Sequence, residues 1–175
     1  MKLGKDEAQA KARFGEAAAA LSAARKKAGA ALDKAVNREL APLKLERAQF
    51  ITQIQSDEAG GPDGIDRVEF WVRTNPGTAA GPLMKIASGG ELARFMLALK
   101  VALADRGSAP TLVFDEIDTG VGGAVADAIG KRLKMLANRV QVLAVTHAPQ
   151  VAARAVGHFQ IAKGVTDKGK RVATR

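Results

Sequence analysis

Two short apolar runs separated by one helical stretch constrain this chain most. The first, Thr111-Leu112-Val113-Phe114, is followed at once by the acids Asp115-Glu116, and the second extends from Val140 to Val145. Runs this short, rich in β-branched and aromatic side chains, suit buried strands. A strand, a helix and a second strand in one sheet form a right-handed parallel crossover, so both carboxyl ends open on the same edge. Ligands bind along that edge in open α/β sheets. An α/β fold with parallel core strands is therefore expected, with its chemistry near Asp115, Glu116 and the second strand's exit, Thr146-His147-Ala148-Pro149-Gln150.

The residue types at that edge suggest roles. A hydrated Mg²⁺ needs hard oxygen ligands, so Asp115 suits a metal, directly or through water. Side chains alternate along an extended chain, so Glu116 points elsewhere and could polarise a water. His147 arrives at the end of the second strand and is expected beside Glu116. Asp118, just before the glycine-rich Gly120-Val121-Gly122-Gly123, suits either a helix cap or a contact with a second subunit. His158, between Gly157 and Phe159, carries no expected chemistry.

Upstream, Ser88-Gly89-Gly90-Glu91 precedes an apolar helix running through Phe95, Met96, Leu99 and Leu103. Ser88 and Glu91 have the spacing of a capping box, and the two glycines leave backbone N–H groups unshielded by side chains. Such groups at the positive end of a helix dipole attract anions, phosphate foremost.

The first forty residues differ in character. From about Lys5 to Leu40 there is no Pro, and Ala, Lys, Arg and Glu dominate, which predicts one helix about 50 Å long at about 1.5 Å per residue. Phe14, Leu21, Ala28, Leu32, Ala35, Val36 and Leu40 recur at spacings that make one sticky face, and Arg25, Lys26, Lys27, Lys34 and Arg38 form a basic face. A helix of that length is expected to project and to pair with another in a coiled coil, the alternative being a surface helix packed on its own domain. Pro42 ends it. Alternation from Leu45 to Gln55 and again from Ile65 to Arg73 predicts an antiparallel pair, with Asp57 to Gly64 as linker and Trp71 on a packed sheet face. Asn75 to Pro82 is expected to be a loop, and the basic tail from Lys163 to Arg175 a hairpin turning at Lys168-Gly169.

Composition narrows the setting. No segment has the apolar length to span a bilayer, and the first residues lack the apolar core of a secretory signal. Cysteine is absent and there are two histidines, which excludes disulfides, disfavours zinc and suits a reducing cytoplasm. A net charge of +9 suggests an anionic partner such as nucleic acid. With aromatics at 4%, binding through the phosphate backbone, sensitive to salt and indifferent to sequence, fits better than base stacking.

The order of these motifs resembles that of ATP-binding-cassette heads: a signature at Ala87 to Leu92, a Walker B strand at Thr111 to Glu116, a D-loop at Asp118 and an H-loop at Thr146-His147. Phe114 to Gly123, Val145 to Ala152, Gly64 to Phe70 and Pro42 to Arg47 look narrower still, similar to the RecN family of bacterial double-strand-break repair ATPases. The resemblance implies the C-terminal lobe of an ABC/SMC-type P-loop ATPase head, residues 42–175, preceded by the returning coiled-coil helix, residues 1–41. It also implies what must come from elsewhere, because no G-x-x-x-x-G-K-[ST] loop is present. The family carries that loop in an N-terminal half.

By resemblance, two complete heads sandwich two ATP molecules with Mg²⁺. Ser88, Gly89, Gly90 and Glu91 would then cap the nucleotide of the other head, Asp115 would organise Mg²⁺, Glu116 would position or deprotonate water, His147 would contact the γ-phosphate, and Asp118 would cross the dimer interface. Implied partners are the N-terminal lobe, a second head and DNA, in the cytoplasm at the nucleoid and away from membranes. Two other readings share some of these features: the ATP-binding subunit of a membrane transporter, and a non-catalytic DNA-binding or interaction module.

Overall fold

The computed structural model describes residues 2–87, 89–104, 109–161, 163–166 and 171–174. Helix α1 runs from Lys2 to Leu40 and stops at a 3-10 turn, Ala41–Leu43, that contains Pro42. Lys44 then takes a left-handed backbone, φ 59°, and donates its N–H to the carbonyl of Ala41 at 3.1 Å, which turns the chain back along the helix.

Strands β1 (Gln49–Gly61) and β2 (Gly64–Arg73) form the expected antiparallel pair. The pair is longer than expected. Residues Asp57 to Gly61, read as linker, continue β1 past an irregularity between Ser56 and Gly61, leaving Pro62-Asp63 as the turn. A short β3 (Gly81–Pro82), inside the expected loop, adds to the free side of β2.

The helix packs on this hairpin. Its buried stripe is Ala18, Ser22, Gly29, Val36 and Leu40, whose mostly small side chains let the strands approach. A Cβ on Gly29 would lie 3.2 Å from Cγ2 of Thr52. The outer edge of β1 would otherwise present unpaired backbone groups, a liability in any sheet. Asn37 satisfies both groups of Phe50, donating to its carbonyl and accepting its N–H at 2.9 Å each, while Oδ1 of Asp33 accepts the N–H and the hydroxyl of Thr52 at 2.7 Å each. The expected sticky face meets this chain's own hairpin: Val36 and Leu40 are buried, while Phe14 and Leu21 keep partial exposure, with Cζ of Phe14 and Cδ2 of Leu21 standing 3.1 and 3.2 Å from where a Cβ on Gly60 and on Gly64 would lie. Arg25, read as part of the solvent face, instead pairs with the buried carboxylate of Asp66 at 3.3 Å.

Below the helix, α2 (Leu83–Ile86) leads to α3 (Gly89–Ala102), then β4 (Thr111–Phe114), α4 (Gly123–Ala137) and β5 (Gln141–Ala144). Strands β4 and β5 are parallel, with Thr111 opposite Gln141 and Phe114 opposite Ala144, as the crossover requires. Leu112 and Phe114 face a core that joins Leu40, Leu43 and Phe50 to Phe95, Ile129 and Leu136. The opposite face is open: Val113, Leu143 and Val145 are 65%, 44% and 62% exposed. The two apolar runs were expected to be buried throughout, but this chain supplies a helical layer for one face only. Helix α5 (Pro149–Ala152) packs on α4, and β6 (Lys163–Thr166) pairs with β7 (Arg171–Thr174) in the expected tail hairpin, whose turn lies outside the described residues.

Candidate functional site

Both strands deliver their polar residues to the same edge. Asp115 leaves β4 exposed, and its Oδ1 accepts the N–H of Glu116 at 2.9 Å. Glu116 has a left-handed backbone, φ 54°, which costs a non-glycine residue about 1–3 kcal/mol and persists where surrounding structure imposes it. The reversal separates the two acids. Oε2 of Glu116 lies 3.7 Å from where a side chain on Gly89 would begin, so this carboxylate turns toward the first turn of α3.

That first turn sits directly on the loop after β4. A Cβ on Gly90 would be 3.5 Å from the carbonyl oxygen of Thr119 and 3.8 Å from that of Glu116. Gly89 is exposed, Gly90 and Glu91 are partly buried, and Ser88 lies outside the described residues, so the expected capping box is not described. The positive end of a fourteen-residue helix and two acids therefore share one solvent-facing edge. Sequence reasoning missed Arg94, three residues beyond Glu91 on the same helix. It is 7% exposed, and its Nε has no hydrogen-bond partner among the described residues. Burial weakens its hold on the proton, opposed by the charge of Glu91. The only signal was a basic residue at an apolar helix position.

Asp118 and His147 are brought together, but not as expected. Asp118 caps no helix, since Gly122 occupies the N-cap position of α4. Nor does it reach outward. It is 2% exposed, and Oδ2 accepts the hydroxyl of Thr146 and, at 3.1 Å, the N–H of Ala148. Nδ1 of His147 stands 3.9 Å from Oδ1 of Asp118, and the ring is 81% exposed. No hydrogen bond or ion pair joins His147 to Glu116 among the described residues; the turn after β5 folds onto Asp118 instead. Burial favours the neutral acid at Asp118, yet Thr146, the backbone amides and the charge of His147 hold its carboxyl below the usual value of 3.8.

Among the described residues, no three His, Cys, Asp or Glu side chains converge to hold a metal unaided. Asp115 fits a lesser part. Its exposed carboxylate, at the carboxyl end of a parallel strand, has the chemistry of one ligand to a Mg²⁺ otherwise held by water and phosphate oxygens.

A glycine-started helix and a strand ending in paired acids, beside a hairpin and a long helix, give this chain a fold like that of SMC head domains. The chain superposes with a TM-score of 0.65 on the Smc head domain with an extended coiled coil from Pyrococcus furiosus, at 19% identity, covering 99% of this chain and 42% of that one. With the head domain from Pyrococcus yayanosii the TM-score is 0.55, at 20% identity over 83% of this chain and 26% of that one. In sequence the chain is RecN-like and matches the C-terminal part of that protein. It is 45% identical over 163 residues to the DNA repair protein RecN of Rickettsia conorii, covering 93% of this chain. Against RecN of Xylella fastidiosa the identity is 45% over 150 residues, and against that of Vibrio cholerae 43% over 145. No family profile matches. The chain spans about 30% of the length of the curated relatives it matches.

Proposed function

We propose that this chain is the C-terminal head lobe of a RecN-type DNA repair ATPase, active when an N-terminal lobe supplies the P-loop and a second head closes over the nucleotide. The observation that carries this reading is the exposure of Gly89, Asp115 and Glu116 on one edge. Gly89 and Gly90, with Ser88 and Glu91, offer donors and a helix dipole to a γ-phosphate held by the other head. Asp115 would hold Mg²⁺, which would supply positive charge to the phosphates as negative charge develops on them. Glu116 orients or deprotonates the attacking water, and His147 reaches the γ-phosphate. Phosphoryl transfer depends mainly on positioning and charge stabilisation, so dividing these groups between two heads makes turnover depend on engagement. The open face at Val113, Leu143 and Val145 suits contact with the N-terminal lobe.

The test is ATP turnover by this chain alone, by the full-length protein, and by the full-length Glu116→Gln variant. The chain alone should show none. The variant should lose about 10²–10⁴-fold in kcat, the worth of a general base, while keeping ATP-induced head pairing. Turnover by the chain alone, or an unchanged rate in the variant, contradicts the reading.

DNA is the proposed polyanion. Lys27, Lys34 and Arg38 are exposed on the side of α1 opposite its hairpin-facing stripe, an arrangement suited to phosphate contact without base readout. The logarithm of the affinity should fall linearly with log salt concentration, with a slope of about −0.9 per phosphate neutralised. A fluorescence anisotropy titration showing no salt dependence would rule this out. No helix among the described residues is long and apolar enough to cross a membrane, and the proposed site of action is the nucleoid in the cytoplasm.

A further inference from the structure

We infer that Asp118 is a positioning residue for His147: its carboxylate clamps the Thr146-His147-Ala148 turn with one oxygen and offers the other to Nδ1, leaving Nε2 aimed outward. Only the identity of what Nε2 meets, a γ-phosphate, rests on the function proposed above.

Four observations converge. Oδ2 already accepts two donors from the turn, the Thr146 hydroxyl and the Ala148 N–H. The hydroxyl in turn accepts that same N–H at 3.0 Å, so the turn is tied to Asp118 from both sides of His147. Oδ1 is buried with no hydrogen-bond partner among the described residues, a state that buried acceptors rarely keep. Nδ1 of His147 stands 3.9 Å from it, a small ring movement short of a hydrogen bond.

The ring's other surroundings are solvent, and Asp118 is its one polar contact among the described residues. Closing that gap would fix both the orientation and the proton position of an imidazole that is otherwise free to rotate. An Nδ1–H bonded to a buried carboxylate holds the ring so that Nε2 faces outward, where its N–H, when the ring carries both protons, can donate to an anionic oxygen. Asp118 thereby serves its own head. A carboxylate held inside the lobe by Thr146 and Ala148 is not available to cross to a second one.

The test exploits the difference between a carboxylate and an amide. In Asp118→Asn the amide oxygen can still accept from Thr146 and Ala148, keeping the turn, but its NH₂ now faces Nδ1 and demands the Nε2–H tautomer. Nitrogen-15 NMR of the ring reads this directly in the 175-residue chain, which has two histidines; His158→Gln identifies His147. At alkaline pH, in spectra of the neutral ring, the unsubstituted chain should show Nδ1–H at His147 and the Asn variant Nε2–H. Equal tautomer populations in the two proteins would overturn the inference.

Circular dichroism checks that the Asn variant folds. If it does not, Thr146→Val, which removes one clamp bond and leaves the carboxylate, should keep the Nδ1–H form; its loss there would equally overturn the inference. In the full-length protein, Asp118→Asn should lower kcat about 10–100-fold with KM for ATP within about twofold. A fall in kcat with the ring unchanged would also count against it. A tautomer switch in a full-length protein that turns over no ATP would sink the ATPase reading and leave this inference standing.

Discussion

At Glu116 the sequence and the backbone supply different parts of the answer. Two acids at the end of an apolar run mark the edge of a parallel sheet, so Asp115 and Glu116 are legible from the sequence alone. The positive φ of Glu116 is not, because it depends on how the following loop meets the first turn of α3. Asp118 shows the same limit more sharply. Its partners, Thr146 and Ala148, are 28 and 30 residues away, and only the parallel register of β4 and β5 brings them together. Its titration gives a prediction. A carboxyl held below its ordinary value in the folded state contributes stability that is complete above the unfolded pKa and is lost as pH falls through the folded one. Acidification below about pH 4 should therefore lower the urea midpoint, and less steeply in Asp118→Asn, which has no carboxylate to protonate there. Parallel pH profiles for the two proteins would show that the Asp118 bonds add nothing to folding.

Among the elements, α1 was read correctly in kind, and its contact with the chain's own hairpin was the second of two readings of what it touches. A Pro-free, Ala-rich stretch specifies a helix, and Pro42 marks its end. What sequence periodicity picked out was large side chains, Phe14 and Leu21 among them. Val36 and Leu40 from that set are buried, but the stripe also uses Ala18, Ser22 and Gly29, because a hairpin lying along a helix needs room more than bulk. Hydrophobicity cannot reveal a face chosen for smallness. The polar side of the contact was equally hidden, since Asp33 and Asn37 look like surface residues until they complete the edge of β1. Gly29→Leu should force the hairpin away from Thr52 and destabilise the chain by about 1–3 kcal/mol, the usual cost of overpacking. Urea unfolding measures it, and a variant as stable as its parent would mean that the helix and hairpin are not held at this spacing.

For the whole molecule, the parallel topology was legible because a crossover has one hand and one open edge. The exposed face of β4 and β5 was not, since continuous apolar runs imply cover on both sides and cannot say which chain provides it. The same division governs the proposed chemistry: this lobe carries acids and a glycine-started helix, and no phosphate-binding loop. The central claim is that the glycine turn of one head and the acids of the other serve one triphosphate. Mixing two full-length variants tests it directly, Ser88→Arg with a blocked glycine turn and Glu116→Gln with a disabled acid, each inactive alone. If the groups act across the dimer, a mixed pair contains one intact site, and equal mixing should restore about a quarter of the unsubstituted rate for randomly assorting two-fold dimers. Turnover that stays at the level of the separate variants, with mixed dimers shown to form, would mean that both groups serve the same head and would contradict the account.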